Sequence, residues 1–322
     1  MGLNMRLEHK FTLVDDVNIH YVESGSKSRN KETITTIIFL HGFPEYWGTW
    51  IKQLTYFSPN YRVIAPDLPG YNLSDKPSDL SFYALPKLIT FIAQFIKVIS
   101  PDQAVYLVAH DWGGVIAWPL AAFHPQLINK LIILNAAHPS TFTREMANNR
   151  IQRQKSAYIH QLISASGQSL LSKNNYNYLS EKMMVSARTD VFTDEVKAKY
   201  RQVWSQKGAI NGMLQYYRAM PQLAANDTDN NVLESCEEDN FSDTGTGPVK
   251  NISMIKVPNI RVNIPTLILW GEEDQAFVNE NLDEIEQYVP NCSLVRFSNT
   301  SHWLQHEKPA AVNNAIAKFI QH

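Results

Sequence analysis

The chain has 322 residues, 44% of them hydrophobic and 19% charged, with a formal net charge of −2. That length can bury one large core, or a core plus a smaller domain. The near-neutral balance excludes the electrostatic footprint of a nucleic-acid binder or an anionic-membrane binder.

At the start, MGLNMRLEHKF has no apolar run of the signal-peptide kind, and Arg6 stands where a myristoylation signal wants Ser or Thr. The longest apolar stretch, residues 88–99, is interrupted by Gln94 and Lys97. It falls far short of the roughly 20 residues that a membrane span needs. Cys236 and Cys292 are the only cysteines and lie far apart. They give neither a disulfide framework nor a CxxC metal spacing. The expectation is a cytoplasmic protein without a membrane span, and composition sets no oligomeric state.

Short β-rich runs bounded by turn residues predict strands at 17–23, 34–40, 62–65, 104–108, 131–134, 266–270 and 293–297. Several are continuously apolar, the pattern of strands covered on both faces of a parallel sheet. Helical patterns intervene at 88–99 and 311–320; in the second, Val312, Ala315, Ile316, Phe319 and Ile320 share one face. The alternation predicts an α/β fold, a mostly parallel twisted sheet flanked by helices. It stops after about Pro139 and resumes near Pro265 across an interval that reads as helical. The expected division is a core of 1–137 and 261–322 with an inserted unit at 138–260. Within that unit, 226–247 is polar and acidic and reads as a mobile surface loop.

Open α/β sheets build their sites at the carboxyl ends of strands. The places to inspect are therefore His41 to Glu45, Asp67 to Gly70, Asp111 to Gly114, Gly271 to Asp274 and, after the last strand, His302. VAHDWGGVIAW, residues 108–118, has the small-x-nucleophile-x-small outline of a nucleophile elbow, but with Asp111 in place of serine. Aspartate also caps helices well. Gly113 and Gly114, which permit a sharp turn, and Trp112, a large aromatic beside the carboxylate, favour a walled pocket over a plain cap.

An aspartate is ionised at neutral pH, with a reference pKa of about 3.9, so it needs no base to attack. On an ester it would give only an anhydride. Its useful target is a saturated carbon bearing a leaving group, and the product is an alkyl ester that water must cleave. His302 is the candidate base for that water, and Asp274 in LILWGEEDQAF is the acid that would orient the imidazole. Asn135, after an earlier strand, cannot carry that charge. Backbone N–H groups of Phe43 and Trp112 are the candidate oxyanion donors, with Pro44 biasing Phe43 toward an extended conformation. His41, Pro44 and Trp112 are expected in the pocket wall, His41 chiefly as a holder of its own loop. Pro119, inside the helix after Asp111, predicts a kink or an early end.

HGFPEYW (41–47), DLPGYNLSDKP (67–77), HDWGG (110–114), GEED (271–274) and SHW (301–303), in that order, closely resemble the α/β-hydrolase family and within it the epoxide hydrolases. The resemblance spans nearly the whole chain and implies an α/β-hydrolase core with an inserted helical lid after Asn135. It implies no cofactor and no metal, and as partners only a small hydrophobic epoxide and water. It also implies two lid tyrosines that hold and protonate the epoxide oxygen. LQYYRAM (214–220) places this role on Tyr217, with Gln215 where the family usually has Asn. KSAYIHQLISA (155–165) suggests Tyr158, although the Gln and Pro expected after it are Ile163 and Ala165. A haloalkane dehalogenase on the same triad, with Trp112 as halide donor, stays open. So does a catalytically silent binding protein that has kept the fold.

Overall fold

The computed structural model describes residues 6–25, 34–184, 187, 190–220 and 258–321. Among these residues, eight strands form one sheet: β1 (Glu8–Val14), β2 (Val17–Gly25), β3 (Thr36–Leu40), β4 (Arg62–Pro66), β5 (Val105–His110), β6 (Ile128–Leu134), β7 (Thr266–Gly271) and β8 (Cys292–Phe297). Their spatial order is β1-β2-β4-β3-β5-β6-β7-β8. The pairs β1/β2 and β2/β4 are antiparallel and the others parallel. Sequence patterning missed β1 for a physical reason: it is an edge strand whose apolar Phe11 and Leu13 face solvent, while Lys10 and Thr12 are the half-buried residues.

The apolar runs of the inner strands split by their period of two. Ile37, Phe39, Val108, Ile132 and Leu267 pack on one face with α1 (Ile51–Phe57) and the C-terminal helix, while Ile38, Leu40, Leu107, Ile133 and Ile268 pack on the other with α2 (Leu85–Ile99) and α3 (Trp112–Phe123). Both faces are covered, which explains the absence of polar alternation in these strands.

The helix after Asp111 corrects the early end, one of the two outcomes expected at Pro119. It runs through Pro119 to Phe123 rather than ending early. An interior proline costs about 3 kcal/mol. Burial of a large apolar side chain returns about 1.5–3 kcal/mol each, and Ile116, Trp118 and Leu120 of this helix are all fully buried. Packing outweighs the lost rung.

Between β6 and β7 the chain forms α4 (Pro139–Asn148), α5 (Arg150–Ser156), α6 (Tyr158–Ile163), α7 (Gly167–Asn177), α8 (Asp194–Trp204) and α9 (Ala209–Arg218). This helical lid docks on the core by polar anchors: Trp204 Nε1 donates to Pro44 O at 2.7 Å and the Tyr216 hydroxyl to Pro69 O at 2.7 Å. Gly212 of α9 meets Gly70 backbone to backbone, so closely that a methyl group on Gly212 would collide with the Gly70 carbonyl. The acidic segment 226–247, with Cys236, lies outside the described residues. After β8 come α10 (Leu304–Glu307) and α11 (Pro309–Gln321). No helix among the described residues is long and apolar enough to cross a membrane.

Candidate active site

Asp111 sits where β5 turns into α3, with φ 49° and ψ −121°. Such a conformation costs a non-glycine residue about 1–3 kcal/mol and persists only where its surroundings impose it. Here they do. A side chain at Gly113 would collide with the carbonyls of Leu40 and His41, so the elbow can press against β3 only because that position carries a hydrogen. The carboxylate does not cap the helix: no backbone N–H of α3 bonds to it. It turns instead to the loop after β3, where Phe43 N donates to Asp111 Oδ1 at 2.6 Å.

The other carboxylate oxygen, Oδ2, faces His302 Nε2 at 3.6 Å. On the far side of the ring, His302 Nδ1 bonds Asp274 Oδ2 at 2.8 Å. Asp274 comes from the loop after β7. Its Oδ1 accepts from Ala276 N at 2.6 Å and Phe277 N at 3.1 Å, and its Oδ2 also accepts from Asn135 Nδ2. Burial opposes ionisation of Asp274, but His302, Asn135 and the Ala276 N–H together hold its pKa below the usual carboxylate value. Burial would likewise lower the pKa of His302. Asp274 on one side and Asp111 on the other outweigh it and push it up to about 10. In the unliganded protein at neutral pH the ring is an imidazolium between two carboxylates.

Tyr217 of α9 is buried and packs edge-on against Phe43 at 5.1 Å and Trp112 at 5.3 Å between ring centroids; Tyr158, at the start of α6, meets it at 6.3 Å. Burial, with the nearby Asp111 charge, drives both hydroxyls above the ordinary tyrosine pKa, so both are O–H donors at neutral pH. Asp111, Trp112, Tyr158 and Tyr217 line one cavity of about 360 Å³ with the apolar side chains of Phe142 and Phe277. Asp111 is its only charged wall residue among the described ones.

Two expected wall residues lie elsewhere. His41 is fully buried behind the loop, its Nδ1 on Gly42 O at 2.9 Å and its Nε2 accepting from Leu68 N at 3.0 Å; both nitrogens are spent on the backbone, and burial lowers its pKa. Pro44 follows a cis peptide bond, its carbonyl is engaged by Trp204, and it does not line the cavity either.

What the sequence reading missed lies just beneath. Glu45, fully buried, accepts from Gly42 N at 3.2 Å, Gln305 Nε2 at 3.1 Å and the Thr49 hydroxyl, and pairs with His110 Nδ1 at 2.9 Å and His306 Nε2 at 3.3 Å. His110 then bonds the backbone O of His302 through Nε2 at 2.9 Å. Burial acts against the Glu45 charge, yet His110 and His306 hold its pKa well below the normal range. One carboxylate thus ties the Phe43 loop, the Asp111 elbow and the His302 loop. The available signal was an acid in HGFPE and a histidine ending an apolar strand run, since buried ionisable groups require partners.

The pattern of the α/β-hydrolase fold family matches residues 35–309. The chain belongs to the α/β-hydrolase family. This hydrolase is 31% identical over 314 residues to the AB hydrolase superfamily protein YfhM of Bacillus subtilis (strain 168), covering 97% of each chain. It is 32% identical to Epoxide hydrolase 2 of Caenorhabditis elegans, covering 97% of this chain and 79% of that protein. Its structure resembles the crystal structure of a Bacillus megaterium epoxide hydrolase in complex with an inhibitor, with a TM-score of 0.79, 32% identity, and coverage of 97% of this hydrolase and 100% of the other chain. Among the described residues of the hydrolase, no group of three or more His, Cys, Asp or Glu side chains is arranged to hold a metal ion.

Proposed function

We propose that this hydrolase converts an epoxide and water to a vicinal diol through a covalent alkyl ester of Asp111, with core 1–137 and 261–322, lid 138–260, and a cytoplasmic location. The observation that carries the reading is the meeting of Asp111, Tyr158 and Tyr217 in one apolar cavity. A departing halide is a weak base that needs only N–H donors. An opening epoxide develops a basic alkoxide that requires an acidic O–H. The similarity to proteins named epoxide hydrolases supports the same reading.

In the first step Asp111 Oδ2 forms a bond to a ring carbon, the carbon–oxygen bond breaks, and Tyr217, with Tyr158 as second donor, protonates the oxygen. The ester carbonyl is then Oδ1, the oxygen on which the Phe43 N–H is already placed; Trp112 N, which makes no bond to the carboxylate in the unliganded protein, is the proposed second donor once the oxyanion forms. Esterification removes the Asp111 charge, and with it one of the two carboxylates that keep His302 protonated. The imidazolium proton returns to the tyrosinate, leaving a neutral His302 oriented by Asp274. In the second step His302 takes a proton from water as the water oxygen attacks the ester, delivers it to the departing diol oxygen, and then receives the remaining water proton from the Asp111 carboxyl, which restores the carboxylate and the imidazolium.

The test is a product assay on terminal, aryl and long-chain epoxides beside bromoalkanes. Diol without bromide is expected. Bromide without diol would replace the reading with dehalogenation, and neither product would favour a silent binding protein.

A further inference from the structure

Helix α5, which leads directly to Tyr158, is laced to the segment carrying Asp274. Gln152 is fully buried and uses every valence of its amide. Nε2 donates to Ala276 O at 2.8 Å and to the Ser156 hydroxyl at 3.0 Å, while Oε1 accepts from Val278 N at 3.1 Å and Asn281 Nδ2 at 2.9 Å. One turn on, Lys155 Nζ donates to the backbone carbonyls of Asp274 and of Phe277, the latter at 3.1 Å. The residues so held, within 274–278, include Ala276 and Phe277, whose N–H groups grip the Asp274 carboxylate. On the lid side, Ser156 precedes Tyr158 by two residues and lines the cavity with it.

We infer that Gln152, seconded by Lys155, is a positioning residue that registers the lid tyrosine Tyr158 against the Asp274 segment of the core, so that the oxygen-holding and water-activating halves of the site move as one unit. The inference rests on the proposed hydrolase reading for its chemical meaning, but its geometry does not depend on the substrate. A buried amide with three bonds across one interface, and a fourth to Ser156 on its own helix, fixes its partners in distance and angle. Apolar packing of α5 alone would let it slide, and displacements near 1 Å cost roughly a hundredfold in a positioned reaction.

The experiment follows the His302 ring by nitrogen-15 NMR titration in the wild type and in Gln152→Met, which keeps the side-chain length and removes the bonds. The groups facing that ring are Asp274, Asp111 and His110, whose ring centroid lies 4.6 Å away and which carries Glu45 behind it. With Asp274 loosened, the midpoint is expected to fall by about one unit or more, and the single-turnover rate of Asp111 alkylation by roughly tenfold or more. A variant that melts at lower temperature but keeps both values overturns the inference, because a purely structural tie moves neither. If Gln152→Met does not fold, Lys155→Met carries the same test with smaller shifts, and Lys155→Arg restores them. A wild type inert to every epoxide would sink the hydrolase reading, and the titration would still decide the tie.

Discussion

His302 Nε2 stands 3.6 Å from Asp111 Oδ2, beyond hydrogen-bond length yet close enough for the two charges to hold one another. In the proposed reaction this gap separates the attacking carboxylate from the group that activates water, and the two proposed roles can be dissected by mutation.

Replacing His302 by Gln removes the proposed base and leaves Asp111, Tyr158 and Tyr217 in place. The expected outcome is a stable alkyl ester, seen as an increase in intact mass equal to one epoxide molecule and located on the peptide bearing Asp111. Bound substrate without an adduct would overturn the two-step scheme.

Stability should depend on pH through the same residue. The folded-state pKa of His302, about 10, lies above the ordinary histidine value of 6.5, so the folded state binds the proton more tightly. The stabilisation is complete below about pH 6.5 and is lost as pH rises toward 10. Urea midpoints are expected to fall across that window, and more shallowly in Asp274→Asn. A flat profile in the wild type would contradict the charged pairing.

Tyr217→Phe should slow alkylation of Asp111 by about 10²- to 10⁴-fold while leaving hydrolysis of a preformed ester nearly unchanged. Tyr158→Phe should do the same to a smaller degree, since Tyr158 is less buried. Stopped-flow tryptophan fluorescence, with Trp112 packed on Tyr217, separates the two steps. An unchanged opening rate in Tyr217→Phe would remove its assignment.

Glu45 does not line the Asp111 cavity, yet Glu45→Ala leaves the buried rings of His110 and His306 and the Gln305 amide without the carboxylate they bond. Leaving a buried polar group without its hydrogen-bond partner costs about 1–3 kcal/mol, which chemical denaturation would register. Because Glu45 also holds Gly42 N, beside the Phe43 donor, surviving protein should hydrolyse the ester more slowly. A loss below about 1 kcal/mol, the range of surface pairs, would show that the network is dispensable.

The residues themselves determined the parallel core, because strands covered on both faces must be apolar throughout, and β3, β5, β6 and β7 declare this in their composition. They also determined which side chains stand at strand ends: Asp111, Asp274 and His302 are legible as polar residues closing apolar runs. Only the tertiary structure decided that those three meet, with His302 between two carboxylates. Only it placed His41 behind the loop and Pro44 outside the cavity, since wall and support carry the same local pattern. The edge strand β1 was illegible because its apolar residues face solvent. The Glu45 and Gln152 networks escaped for a related reason. A buried polar group is recognised by its partners, and those of Gln152 in the core lie 124 to 129 residues away along the chain.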